Sequence, residues 1–387
     1  MSMDYWIRNA EDYEDVELTP ATLKVLEMSR ELAGIIADKI ARLHESGSRG
    51  VLESIKARLS EREPLPGVAI DSTFPPEGGL ELIGGRLIVV VAGYVCFAGA
   101  RHSTLPCRDS FTRAWLVESE EHRRSVPLAA KVLEKALTLR LLRDVESGAL
   151  NARLFLLDGE VIPYQLLFKP SARVSGSSLL SRLHKQSCSM LTRIRELGLS
   201  VAGVVKRSYS RLLSARLGEP LPLNDKAVMS VYLSPGEYAV IGSYGEVLPR
   251  YAEIMAAEKR MDPDRYRRIV EERISSCEAY GDVVVAFYKP PQPRRGSYAV
   301  KVEIYAPYMS PGDLLGSLSS LTNPATGLPY PIDIVDAYTR VEARVMELLR
   351  RRMAADLARR GLGEAARLVA HTNPEKRYLF EPGYRAS

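Results

Sequence analysis

Three acidic residues stand where the surrounding pattern does not favour them. Asp71 ends the apolar run Gly67-Val68-Ala69-Ile70, and Asp158 ends Leu154-Phe155-Leu156-Leu157. Each lies at the C-terminal end of a short strand, the edge along which open α/β sheets place ligands. Glu134 has Ala130, Lys131, Leu137, Thr138 and Leu141 as its neighbours at helical spacing. A carboxylate on so apolar a face needs a cation or a metal to offset its desolvation. Plainer readings exist for each. Asp158-Gly159 is a common turn pair, and Glu134 can pair with Lys131 or reach past the apolar face to water. Together, however, the three form a set of hard oxygen donors suited to divalent cations, the chemistry of two-metal phosphodiester cleavage.

The elements that must position them follow from periodicity. Residues 20–60 carry Leu23, Leu26, Leu32, Ile35, Ile36, Ile40 and Leu43 at helical spacing, with Val51 to Leu59 resuming the helix after Gly47 and Gly50. Arg62 to Pro66 is a hinge. The Val- and Ile-rich segment Arg86 to Phe97 predicts one or two strands with a break near Gly93. Ser125 to Val145 is a helix apolar around most of its circumference, hence buried. Ser177 to Leu197 is a second helix, and Leu199 to Val205 a buried strand. A less regular stretch follows over 210–280, then a hairpin (Val283 to Tyr288, Tyr298 to Tyr305) and one long helix from about Pro331 to Arg360. The mixed succession predicts an α/β fold. It has an N-terminal helical extension over 1–62 and one large domain over 63–387, with an insertion around 210–280.

An Asp on the first strand, a Glu in the first long helix and an Asp on a later strand is the ribonuclease-H layout. A further acidic residue or His usually comes from a late helix, and here Asp333 and Asp336 compete for that place. For the helix ligand, Glu118, Glu120 and Glu121 compete with Glu134.

At this point the chain resembles the NurA nuclease family. Gly67-Val68-Ala69-Ile70-Asp71-Ser72-Thr73 is similar to its opening motif, with Ser72 departing from the usual Asp-Gly-Ser. Leu156-Leu157-Asp158-Gly159-Glu160 resembles the second motif, and Gly203-Val204-Val205-Lys206-Arg207-Ser208 the strand-to-helix motif that carries a Lys. The segment from Gly327 through Tyr330 and Pro331 to Asp336 resembles the late Gly-Tyr-Pro-Tyr-Pro segment, with Asp336 where many members have His or Asp. The resemblance implies a ribonuclease-H-like mixed sheet with flanking helices. It also implies a homodimeric, manganese-dependent exonuclease and endonuclease, with magnesium as the alternative metal, acting on single- and double-stranded DNA ends in break resection. A HerA-type hexameric ATPase is the implied partner. Asp71, Glu134, Asp158 and Asp336 would hold metal, and Lys206 and Arg207 would contact phosphate. The rival reading is a non-catalytic DNA-binding or scaffold subunit of a translocase complex.

Composition sets outer limits. The 387 residues are 46% hydrophobic and 26% charged, with a formal net charge of +5, a balance that tolerates nucleic acid without demanding it. No apolar run is long enough to span a bilayer, and the residues from Asp4 to Glu14 form no apolar leader, so a cytoplasmic protein is expected. Cys96, Cys107, Cys188 and Cys277 have no short metal-ligand spacing and are expected as thiols of a reducing compartment. No Walker-type loop is present, which excludes NTP hydrolysis by this chain. Tyr288-Lys289 with Arg294-Arg295 is a basic, aromatic hairpin tip with two readings, a stacking surface for single-stranded DNA and, preferred here, a plain loop. Tyr338, on the stripe Ile334, Tyr338, Val341, Val345 and Leu348, is read as core.

Overall fold

The computed structural model describes residues 28–45, 49–75, 80–82, 85–98, 107–117, 125–168, 178–258, 260–291 and 298–370. The chain forms two compact units. The first combines the described residues up to Arg62 with Val205–Ile304 and Ser310–Leu328. The second combines Glu63–Val204, Tyr305–Met309 and the described residues from Pro329 onward.

The first unit begins with α1 (Ser29–Glu45), α2 (Arg49–Ser54) and β1 (Lys56–Arg58). The expected helix over 51–59 is therefore cut short. Lys56 joins Glu237 and Glu53 in ion pairs, and β1 adds to a strand at 237–243. Edge pairing here overrides helix propensity.

In the second unit, β2 (Gly67–Thr73), β3 (Leu80–Leu82), β4 (Gly85–Phe97) and β5 (Arg108–Val117) precede α3 (Val126–Glu146). Then come β6 (Leu154–Asp158), α4 (Tyr164–Phe168), α5 (Leu179–Glu196) and β7 (Ser200–Val205). The strands run β5-β4-β2-β6-β7, with β3 also on β4. The β5-β4-β2 part is antiparallel and the β2-β6-β7 part parallel. A meander followed by parallel strands is the ribonuclease-H-like arrangement. Gly67 through Asp71 of β2 and Leu154 through Leu157 of β6 are buried, as continuous apolar runs require in a sheet covered on both faces. Helix α3 packs on β2, β4 and α5, which explains its burial around the circumference.

Two expectations about this unit fail. Gly93 does not break the strand, because β4 runs through it for 13 residues. And the cysteines are not thiols: none of the four is free, and Cys96 and Cys107 form a disulfide with Cα atoms 5.3 Å apart. The β4–β5 register, which pairs Val95 with Arg108, brings the two opposite one another.

The first unit resumes with α6 (Leu212–Leu217), α7 (Asp225–Tyr232), β8 (Glu237–Ser243), α8 (Tyr244–Glu258), α9 (Pro263–Ser275) and α10 (Glu278–Gly281). It continues with β9 (Val284–Tyr288), β10 (Val300–Tyr305) and α11 (Pro311–Ser320). The stretch 210–280 is thus regular, not irregular. The expected hairpin is present as antiparallel β9 and β10. Tyr288 and Lys289 near its tip are buried. The Lys289 ammonium donates to the carbonyls of Ser230 and Leu233 at 2.9 and 2.8 Å, so it serves the fold. Arg294 and Arg295 lie outside the described residues.

The chain returns to the second unit with α12 (Tyr330–Thr339), α13 (Ala343–Arg359) and α14 (Gly363–Ala370). The single helix expected over 331–360 is two. Arg340 leaves the helical region at φ −57°, ψ 127°, without a Gly or Pro to mark the place. Thr339 and Val341 are β-branched and weak helix formers, and the Thr339 hydroxyl oxygen lies 3.0 Å from the Val335 carbonyl. With the helix broken, the presumed core stripe is not one: Tyr338 is 38% exposed and Leu348 60%. No described helix is long and apolar enough to cross a membrane.

Candidate metal centre

Strands β2 and β6 are parallel neighbours, with Ile70 opposite Leu157. The next residue on each is an aspartate, so Asp71 and Asp158 leave the sheet at the same level and the same end. Asp336 arrives from the middle of α12, which packs on β2, β4 and β6. One carboxylate oxygen from each of Asp71, Asp158 and Asp336 lies within 4.8 Å of the others. Asp336, rather than Asp333, joins the two strand-end residues.

Close approach of α12 depends on a missing side chain. Gly93 sits opposite Asp71 on β4, and a Cβ there would come 2.8 Å from the Thr339 methyl. Through that gap the Thr339 hydroxyl donates to Asp71 Oδ2 at 2.5 Å. Sequence reasoning missed Thr339. Its only signal was its place one turn after Val335 and three residues after Asp336.

Asp71 is buried, and its carboxyl is pushed up from 3.8 to about 7. Burial is the main cause and the Asp158 charge the next. The Thr339 hydrogen bond works the other way, and Glu134 adds to the rise. Like charges forced together in a poorly solvated place favour a proton or a cation.

Glu134 does not join the three-oxygen group. It has no exposed surface and is held in a cradle. Its Oε2 accepts from Lys131 Nζ at 2.7 Å and from the Ser72 hydroxyl at 3.0 Å, and Lys135 Nζ lies 3.3 Å from Oε1. Burial works to raise its pKa, but the Lys131 and Lys135 ammoniums outweigh it and hold the group below the usual range. Ser72 thus has a local use as a donor to Glu134. Lys131 also donates to the Asp158 carbonyl at 3.3 Å. Gly159 follows at φ +124°, where a Cβ would come 3.0 Å from the ammonium. A Cβ on Gly203 would in turn meet the Gly159 carbonyl at 2.4 Å. The glycines of two motifs therefore lock the Asp158 turn against β7. Glu118, Glu120 and Glu121, the competitors of Glu134, lie outside the described residues.

Lys206 and Arg207 belong to the other compact unit. Arg207 is exposed and Lys206 half-buried, with the Lys206 carbonyl accepting from Lys226 Nζ at 2.6 Å.

Three carboxylates with converging oxygens are hard donors that suit magnesium, manganese or calcium over softer metals. Close carboxylates that repel one another fit a divalent cation for the same reason.

The family model described as NurA domain matches residues 68–341. A crystal structure of NurA with manganese aligns at a TM-score of 0.52 and 13% identity, covering 86% of this chain and 98% of that one. Another crystal structure of NurA aligns at 0.52 and 10% identity, covering 83% and 97%. These likenesses speak for the fold. None of the curated proteins matches the chain.

Proposed function

Because the chain belongs to the NurA nuclease family, we propose that it is a manganese-dependent deoxyribonuclease acting on DNA ends during break resection. The observation that carries this reading is the convergence of Asp71, Asp158 and Asp336 at the ends of two parallel strands and on α12. The manganese of a solved NurA structure supports the choice of metal, and magnesium shares the donor preference.

Asp71, Asp158 and Asp336 hold the metal. Glu134 adds negative charge beside Asp71, and Lys131, Lys135 and Ser72 fix its orientation. Bound divalent cations supply an activated water and charge neutralisation at the phosphate. Lys206 and Arg207 contact backbone phosphates, which positions DNA without reading its sequence. Family membership supports a homodimer working in the cytoplasm with a HerA-type hexameric ATPase, which supplies the ATP-driven motion.

The test is degradation of linear DNA by the purified chain with manganese, with magnesium and with chelator. Cleavage that requires a divalent cation is the expected result. Binding of DNA with no cleavage under any of these conditions would favour the non-catalytic scaffold.

A further inference from the structure

Tyr209 is 84% exposed, on a loop that is otherwise firmly held. Behind it, Asp225 is fully buried. Its carboxylate accepts from the Ser210 hydroxyl at 2.9 Å and from the backbone N–H groups of Leu212 and Leu213 at 2.7 and 3.0 Å. The Asp225 N–H returns a bond to the Ser210 carbonyl. The Ser208 and Ser210 hydroxyls lie 2.8 Å apart. On the other side of the loop, Lys226 Nζ bonds the Lys206 carbonyl. The backbone is thus pinned on both flanks of Tyr209, while its ring is left in water. The charged residues of the same loop are basic: Arg207, which is exposed, and Lys206 and Arg211, which are half-buried. The one acidic group of this network, Asp225, faces inward.

A rigid, exposed aromatic ring in a basic setting matches an unpaired nucleotide. Any base offers a π-face to stack on, and the adjoining phosphates match the charge. In a duplex those faces are already covered by neighbouring bases. We propose that the loop from Lys206 to Arg211 is a stacking platform for an unpaired DNA base, with Tyr209 against the base and Arg207 on its phosphate. This rests on the nuclease reading above, for which single-stranded ends are already implied, and adds the side chain that receives the base.

The full-length protein is titrated, in chelator to prevent cleavage, with three fluorescent probes. These are a thymidine oligonucleotide, an abasic oligonucleotide of the same length, and a blunt duplex with closed ends. Tyr209→Ala is expected to weaken the thymidine probe about tenfold and to leave the abasic probe and the duplex within error. Tyr209→Trp restores thymidine binding. Arg207→Gln weakens all three and flattens their salt dependence. Equal affinity of Tyr209→Ala and parent for the thymidine probe overturns the platform. So does an equal loss on all three probes, or a change in oligomeric state by size exclusion, which would mean that Tyr209 meets a second copy of the chain. If the parent cuts duplex DNA while Tyr209→Ala behaves as parent on thymidine, only the platform fails. If the parent neither binds nor cuts any DNA, both readings fall.

Discussion

Asp71 and Asp225 are both buried, and burial is the first cause that raises each, to about 7 and about 6. Their surroundings differ. Asp225 meets two backbone N–H groups and a hydroxyl, fixed donors that satisfy a carboxylate and tie a loop to the start of α6. Asp71 meets one hydroxyl, and its other near neighbours include two carboxylates. A buried acid surrounded by donors is part of the scaffold. A buried acid surrounded by other acids favours a proton or a cation. The distinction lies in the partners, since depth of burial is common to both.

The sharpest way to break this comparison is to truncate each. Asp71→Ala or Asp158→Ala should lower manganese-dependent cleavage of linear DNA by about 10³-fold or more, the scale on which losing a group essential in the transition state falls. Each should remain folded by circular dichroism and lose the stabilisation that manganese gives the parent. Variants that cut at the parent rate would remove the metal site from the argument. Asp225→Ala should instead unfold more easily. Orphaning buried donors costs about 1–3 kcal/mol each, so a loss of about 3–5 kcal/mol is expected in denaturant melts. A loss below about 1 kcal/mol would show that Asp225 is not a structural anchor.

Acidity sharpens the comparison further. An acid whose folded-state pKa lies above its unfolded value binds an extra proton in the folded state. Its contribution is present below the unfolded pKa and is lost as pH rises through the folded one. For Asp71, raised from 3.8 to about 7, this is on the order of 4 kcal/mol, and for Asp225, raised from 3.8 to about 6, about 3 kcal/mol. Metal-free protein should therefore lose stability from about pH 4 upward and level off above about pH 7. Asp71→Asn should flatten the part of the curve between the two folded values and roughly halve the slope between about pH 4 and 6, where Asp225 alone then holds the extra proton. A parent curve that is flat between those values would contradict the crowding assigned to Asp71.

The smallest effect is that of Thr339. Thr339→Val removes the one hydrogen bond that draws the Asp71 pKa down, so the acid limb of the pH–rate profile should move to higher pH. The stability change should be only about 1 kcal/mol. Thr339→Ser should restore the limb. An unmoved limb in the Val variant would assign Thr339 to packing alone.

The strand-end aspartates were legible in the sequence because a buried strand reads as an unbroken apolar run, and an acid at its end stands out. Helix α3 and strands β6 and β7 were legible for the same reason. Strand β5 was not. It carries Arg108, Asp109 and Arg113, and a strand with so many charges gives no period-two apolar signal. Strand β8, with the half-buried pattern of Glu237–Ser243, was lost among short helices. The break after Thr339 carries no Gly or Pro. The Cys96–Cys107 pair, 11 residues apart, follows from strand register and the Thr339–Asp71 bond, 268 residues apart, from helix approach, and apolar periodicity reports neither. Lys131 was weighed as a partner for Glu134. Lys135 and Ser72 complete that cradle through packing that periodicity does not reveal.

The late position of α12 also sets a clock. Thr339 and Asp71 are 268 residues apart in the chain. At a synthesis rate of roughly 5–20 residues per second, the helix emerges roughly 15–50 seconds after the first aspartate. Asp158 joins Asp71 part-way through that interval, Asp336 comes only at its end, and a chain released early never acquires it. Under the proposed nuclease function, the three-carboxylate group is therefore complete only once the last part of the second unit has been made.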